Sequence, residues 1–247
     1  MALAVALKAE FCEINTDVSG VFTADPRIVP HAKLIERIDY ASCLELAVLG
    51  GKVLHPRCVE LAAKYHMPII VRSTFDRNDA RRTLVNQFNE QDSLESPIVS
   101  AVSIEKHIAK FSVQWKGPSD ASVSEVFKKL SAASVNIDII VFDSRDSESP
   151  SIGFSVADSD VEKARKTLED WGRSHSIQID TKRDLAKISV IGLGMQTHSG
   201  VAAKIFETLQ ANDIDLVMVT TSEIKVSCVI PLAQSELAAR VLHDAFL

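Results

Sequence analysis

The chain has 247 residues, 46% of them hydrophobic and 24% charged, with a formal net charge of −6. That balance supplies one or two hydrophobic cores, and no apolar run is long enough to cross a bilayer as a helix. The acidic balance, with only 6% aromatic residues, excludes a basic, base-stacking nucleic-acid surface.

In chain order, a short helix is expected over residues 2–8. Its apolar start, Ala2-Leu3-Ala4-Val5-Ala6-Leu7, has no basic lead and no cleavage site and runs straight into Lys8 and Glu10. It reads as a helix and not as a signal peptide, so a cytoplasmic location is the expectation. A strand follows over 11–15. Thr16-Asp17-Val18-Ser19-Gly20 and Ala24-Asp25-Pro26-Arg27-Ile28-Val29-Pro30 are turn-rich, with Pro and Gly marking loops. Apolar residues at helical spacing predict a helix over 40–49, stopped by Gly50-Gly51. A second helix over 56–65 has Pro56 at a tolerated first-turn position. Residues 68–72 read as a short buried strand. Residues 76–97 are polar and read as a connection between domains.

The remainder contains an internal repeat. Ala109-Lys110-Phe111-Ser112-Val113 matches Ala186-Lys187-Ile188-Ser189-Val190. Val126-Phe127-Lys128-Lys129-Leu130 matches Ile205-Phe206-Glu207-Thr208-Leu209, and Val135-Asn136-Ile137 matches Ile214-Asp215-Leu216. The offset is 77 for the first match and 79 for the other two, so the first copy has the shorter strand-to-helix turn. Each copy continues with a third strand (152–156; 224–230) and a second helix (158–171; 234–246). The order strand–helix–strand–strand–helix is most of a ferredoxin-like unit. Its sheet carries helices on one face, so the other face or the edge needs a cover from the second copy or another chain.

Cys12, Cys43, Cys58 and Cys228 show neither metal-knuckle nor redox spacing and sit in apolar runs. They are expected to be buried, reduced thiols. The loop chemistry after the first strand is less specific. A strand delivers Thr16, Asp17 and, further on, Arg27 to a sheet edge, where ligands of open α/β sheets bind. Asp17 and Ser19 equally suit plain turns. His55 reads as a structural residue rather than a catalyst.

The run from Glu13 to Pro30, then Leu44-Glu45-Leu46-Ala47-Val48-Leu49-Gly50-Gly51-Lys52-Val53-Leu54-His55-Pro56-Arg57 and Val71-Arg72-Ser73-Thr74-Phe75, resembles the second half of the aspartate kinase catalytic domain. The repeat region is similar to that family's paired ACT domains, so the resemblance covers essentially the whole chain. It implies an α/β fold: a partial amino-acid-kinase segment (1–90) followed by two ferredoxin-like βαββα ACT domains (98–175 and 176–247). It implies nucleotide contacts from Thr16, Asp17, Phe22, Arg27, Lys52 and Val53. Phe22 stands where the family usually has Tyr, which loses a hydroxyl but keeps the aromatic surface.

The family's glycine-rich segment with its phosphate-binding Lys, and its Gly-Arg-Gly-Gly-Ser segment, do not occur in the sequence. Phosphoryl transfer depends on such positioned charge. The resemblance therefore implies a regulatory, β-type subunit with no catalytic residue, no metal site and no cofactor of its own. A catalytic α chain would supply the chemistry: ATP- and Mg-dependent phosphorylation of L-aspartate to 4-phospho-L-aspartate, in lysine, threonine and methionine biosynthesis. A homodimer through the ACT domains is expected, with an amino-acid effector, lysine or threonine. The alternatives are a free-standing ACT-type sensor and a truncated aspartate kinase with no regulatory ligand.

In the second repeat, Gly192-Leu193-Gly194-Met195, the run from Gly200 to Phe206 and the run from Thr221 to Ser227 match the ACT pattern. Gly200 either lets a ligand carboxylate approach the helix start or only closes a turn. The first repeat departs from the pattern. Effector contacts are expected from Ser119, Asp120, Ala121, Ser122, Asn136, Ile137, Phe142 and Asp143. However, Ala121 replaces a glycine, and Phe142 and Asp143 stand where Gln and Asn are common. Asp120 or Asp143 could receive a cationic amine, or the site is degenerate and kept for packing.

Overall fold

The computed structural model describes residues 1–49, 53–76, 81–88, 98–115, 123–143, 151–172, 177–195 and 200–247. They divide into two compact units. The first comprises Met1–Glu105, Lys187–Ile230 and Gln234–Leu247, and the second Lys106–Ala186 with Pro231–Ala233. Among the described residues no helix is long and apolar enough to cross a membrane.

The first unit opens with α1 (Ala2–Ala6), β1 (Cys12–Thr16), β2 (Arg37–Asp39), α2 (Tyr40–Val48), α3 (Pro56–Tyr65), β3 (Ile69–Ser73) and β4 (Arg82–Asn86). The strands form a sheet in the order β1-β3-β4-β2, with β1 parallel to β3, β3 antiparallel to β4 and β2 parallel to β4. Strand β4 corrects the reading of 76–97 as a connection. Its Thr83 and Val85 are fully buried between two neighbours, although Arg81, Arg82 and Asn86 give the segment a polar composition. Asp39 caps α2 by accepting the Ser42 N–H at 2.8 Å. His55 is the cap of α3, its Nδ1 accepting the Arg57 N–H at 3.2 Å with Pro56 in the first turn. Leu46, Leu49, Val59, Ala62, Ile69, Val71 and Val85 form the core beneath these helices.

The second unit is built from the later part of β5 (Ala101–Trp115), α4 (Val123–Ala132), β6 (Ile137–Asp143), β7 (Ser151–Ala157), α5 (Val161–Gly172) and the earlier part of β8 (Ile177–Ile191). A 3-10 turn, Asp158–Asp160, leads into α5. Strand order is β6-β7-β5, with antiparallel pairs. Phe111 faces Phe154 across β5 and β7, the rings stacked at 5.4 Å. Helix α4 buries Val126 and Leu130 on this face, and α5 buries Val161, Ala164, Leu168 and Trp171. That i, i+3, i+7, i+10 spacing is the helical period read from the sequence.

Back in the first unit, α6 (Val201–Ala211), β9 (Met218–Thr221), β10 (Lys225–Pro231) and α7 (Ser235–Phe246) complete the second repeat, with strand order β8-β10-β9. The repeat extends to the backbone. Ser134 and Asp213, equivalent at the offset of 79, both turn left-handed at φ 53° after the first helix. In each copy the next residue closes the helix end: Val135 N–H donates to the Leu130 carbonyl, and Ile214 N–H to that of Leu209, both at 3.0 Å. The start of the second helix then caps the turn, Lys163 Nζ on the Ser134 carbonyl and Gln234 Nε2 on the Asp213 carbonyl, both at 2.9 Å. His107 (φ 63°) and Asp184 (φ 55°) match at the offset of 77, so the long first strand of each copy bends at the same place.

Cys43 and Cys228 are buried, and burial pushes both thiols up to about 12. Cys12 and Cys58 are only half-buried, which corrects the expectation for those two; all four are free.

Candidate functional site

Strands β1 and β3 run parallel and end together at Thr16 and Ser73. The Thr16 carbonyl accepts the Thr74 N–H at 2.8 Å, and the Thr16 hydroxyl donates to Asp17 Oδ1 at 3.0 Å. The chain then turns through Gly20, at φ 155°, where a Cβ would lie 2.4 Å from Thr83 Oγ1. Only glycine fits there. Thr83 accepts the Val21 N–H at 2.8 Å and donates to the Ile35 carbonyl at 2.6 Å, so one buried hydroxyl pins both ends of the loop 21–35.

Along that loop Phe22 bridges Leu34. One turn, closed by Ile28 and Val29 N–H groups on the Asp25 carbonyl, presents Arg27. The Arg27 guanidinium lies bidentate on Asp25, with Nε to Oδ1 at 3.0 Å and Nη2 to Oδ2 at 2.7 Å, and remains 83% exposed. The Asp25 hydrogen bond, aided by the charges of Asp25 and Asp17, raises its pKa. Thr16, Asp17, Phe22 and Arg27 thus come from the strand ends and the adjacent loop, where an α/β sheet offers a ligand crevice. Asp25 was missed in the sequence. Its signal is the Asp-Pro-Arg spacing, in which the carboxylate takes the Arg27 N–H at 2.9 Å. Val53 is half-buried and packs on the core below α2, while Lys52 lies outside the described residues.

The loop is held from the second repeat. Ala24 and Val29 belong to the same core as Ile205, Leu209 and Leu242. Thr23 Oγ1 stands 2.9 Å from His243 Nε2 on α7. Arg240 reaches the Ile28 carbonyl at 3.4 Å, and Lys33 Nζ reaches the Leu247 carbonyl oxygen at 2.5 Å. Sequence reading missed His243, although it continues the buried stripe Ser235, Ala238, Ala239, Leu242 of α7. Burial holds its pKa below the ordinary histidine value, partly opposed by Asp244.

Of the expected effector residues, Ser119, Asp120, Ala121 and Ser122 lie outside the described residues. Asn136 is exposed just before β6, and Ile137 begins the strand opposite Val156. Phe142, 52% exposed, and Asp143 pair with Ile152 and Ser151 at the far end of the strand. Six residues of strand separate Asn136 from Phe142, about 20 Å. Trp115, which leads into 119–122, lies at the Phe142 end, since Gln114 pairs with Ser151. The structure therefore places Phe142 and Asp143 at the Trp115 end of the sheet and Asn136 at the opposite end. Among the described residues no group of three or more His, Cys, Asp or Glu forms a metal site.

Residues 1–73 match the amino acid kinase family and residues 188–246 match the ACT domain. An aspartate kinase of Pseudomonas putida is 39% identical over the whole chain. A solved structure of aspartokinase alpha and beta subunits is 33% identical; the match covers 60% of this chain and 98% of that one, with a TM-score of 0.55. The chain belongs to the aspartate kinase family. It spans 59% of the length of the P. putida aspartate kinase. Aspartokinase III of Escherichia coli, solved with aspartate and ADP, is 26% identical with a TM-score of 0.80, covering 98% of this chain and 54% of that one. Its complex with lysine and aspartate is 25% identical with a TM-score of 0.76, covering 99% and 54%. The mixed α/β architecture is that of the aspartate kinases, an allosterically regulated family with ACT domains.

Proposed function

We propose that this aspartate kinase chain acts as a regulatory, β-type part. It senses an amino-acid effector and passes its state to the nucleotide side of the kinase fold. The observation that carries this reading is the shared core in which Ala24 and Val29 of the loop pack with Ile205, Leu209 and Leu242 of the second repeat. A shift of the second repeat acts on that loop directly. A free-standing sensor would have no use for the arrangement.

In this reading 1–90 is the kinase segment, and 98–175 and 176–247 are the two ACT domains. Thr16, Asp17, Phe22, Arg27, Lys52 and Val53 serve the nucleotide. Ser119 to Ser122, Ile137, Phe142 and Asp143 serve the effector, with Asn136 reached from another side. Lysine or threonine is the effector, and the lysine-bound form of E. coli aspartokinase III supports that class. A catalytic α chain, ATP and Mg2+ complete the cytoplasmic enzyme that phosphorylates L-aspartate, and the chain dimerises through its ACT domains. Mg2+ in such sites needs only one or two carboxylates beside the phosphates, and Asp17 is exposed for that role.

The test is calorimetric titration of the purified chain with lysine, threonine and methionine in turn, with mass measured by light scattering in the same buffers. Binding of one amino acid by a dimer supports the reading. A monomer that binds none of them contradicts it.

A further inference from the structure

We propose that His243 is a positioning residue for the loop 22–35: its buried neutral ring holds Thr23, and protonating it loosens the loop from helix α7. The physics stands on contacts alone; its bearing on nucleotide rests on the reading of Phe22 and Arg27 given above.

A neutral ring can take the Thr23 hydroxyl proton at Nε2. Thr23 Oγ1 already accepts the Lys33 N–H at 2.9 Å, so its own proton is free to go to His243 Nε2, 2.9 Å away. That arrangement needs Nε2 as an acceptor and places the ring proton on Nδ1, which is buried without a hydrogen-bond partner. A second proton on Nε2 would face the hydroxyl hydrogen. Thr23 would have to turn its proton away, and a charge would sit on a side chain only 2% exposed.

The neighbours do little to hold that charge. On α7, Asp244 Oδ1 is 3.8 Å from Nδ1 and its side chain is 65% exposed. Against it stand Lys33 and His31 on the loop itself, both of which disfavour a cationic ring. Arg240 of α7 lies on the Ile28 carbonyl, and Lys204 of α6 lies on the Ala245 carbonyl and over the Phe246 ring. Thr23 is also where the loop is tied down: its N–H donates to the Lys33 carbonyl at 2.9 Å and its carbonyl accepts the Val102 N–H at 2.7 Å. Turning its hydroxyl away leaves these backbone bonds in place and loosens the side-chain tie between α7 and the residue beside Phe22.

The experiment is an NMR titration of the full chain from pH 8 to pH 5, following the His243 ring and the Thr23 and Lys33 amides. The expected result is a common midpoint below about 6.5, the free histidine value. His243→Gln, which keeps an amide in the site but takes no proton, should leave both amides flat. Amides that ignore the ring, or that titrate identically in the variant, would overturn the proposal. If His243→Gln does not fold, Thr23→Val serves instead, and there the loop amides must stop following the ring. ADP titrations separate the two readings. ADP affinity that weakens severalfold between pH 8 and pH 6 in the wild type but not in the variant supports the link. Co-titrating amides with no ADP binding at any pH would sink the nucleotide reading and leave the link standing.

Discussion

Lys225 on β10 meets Glu45 on α2 at 2.8 Å, the two side chains 21% and 24% exposed. One belongs to the second repeat and the other lies among the residues that match the amino acid kinase family, so this half-buried pair ties β10 to α2. Close by, the Ser103 hydroxyl holds the Leu49 carbonyl at 2.8 Å at the end of α2. A double-mutant cycle of Glu45→Gln and Lys225→Met, read by urea unfolding, should give a coupling of about 1 kcal/mol. Strict additivity would show that the pair contributes nothing.

Gly192 follows β8 where the chain passes under Ile98 and Val99. A Cβ there would lie 2.1 Å from the Ile98 carbonyl oxygen and 2.8 Å from the Val99 Cα, both backbone atoms that cannot swing aside. Gly192→Ala should destabilise the chain by about 2 kcal/mol or more, or prevent its accumulation as folded protein. An unfolding midpoint equal to that of the wild type would contradict the close approach.

Ser134 sits at φ 53° at the end of α4, a conformation that costs an L-residue about 1 kcal/mol. Ser134→Gly removes that cost while keeping the carbonyl that accepts Lys163 Nζ. A modest rise in stability, up to about 1 kcal/mol after the extra unfolded-state freedom of glycine is subtracted, is expected in thermal unfolding. A fall would mean that the turn is not left-handed in solution.

Burial lowers the pKa of His243 in the folded state, so below about 6.5 the unfolded chain binds the extra proton more readily. Its contribution is complete above that value and is lost as pH falls through the window toward the folded value. The stability difference between the wild type and His243→Gln should therefore shrink from pH 7.5 to pH 5. A difference independent of pH would place the ring in water.

Much of this was legible in the sequence. Helices α2, α3 and α5 and strands β1, β3 and β7 follow from apolar spacing and from Pro and Gly punctuation, and the repeat follows from matched runs. Strand β4 was not legible, because Thr83 fills a buried place with a hydroxyl whose partners, Val21 and Ile35, are far along the chain. Nor were the full lengths of β5 and β8, whose alternation breaks at His107 and Asp184, the left-handed positions. At the site, strand ends and loop composition pointed to Thr16, Asp17 and Arg27. His243 could not be placed beside that loop, nor Lys225 beside α2, since contacts spanning 220 and 180 residues leave no local pattern.

The most direct test of the proposed regulatory role is aspartyl phosphate formation by the proposed catalytic α chain, with and without this chain, at rising lysine, threonine and methionine. The expected result is activity that one of these amino acids inhibits only when this chain is present. Inhibition that is identical without it, or complete indifference to all three, would contradict a regulatory role.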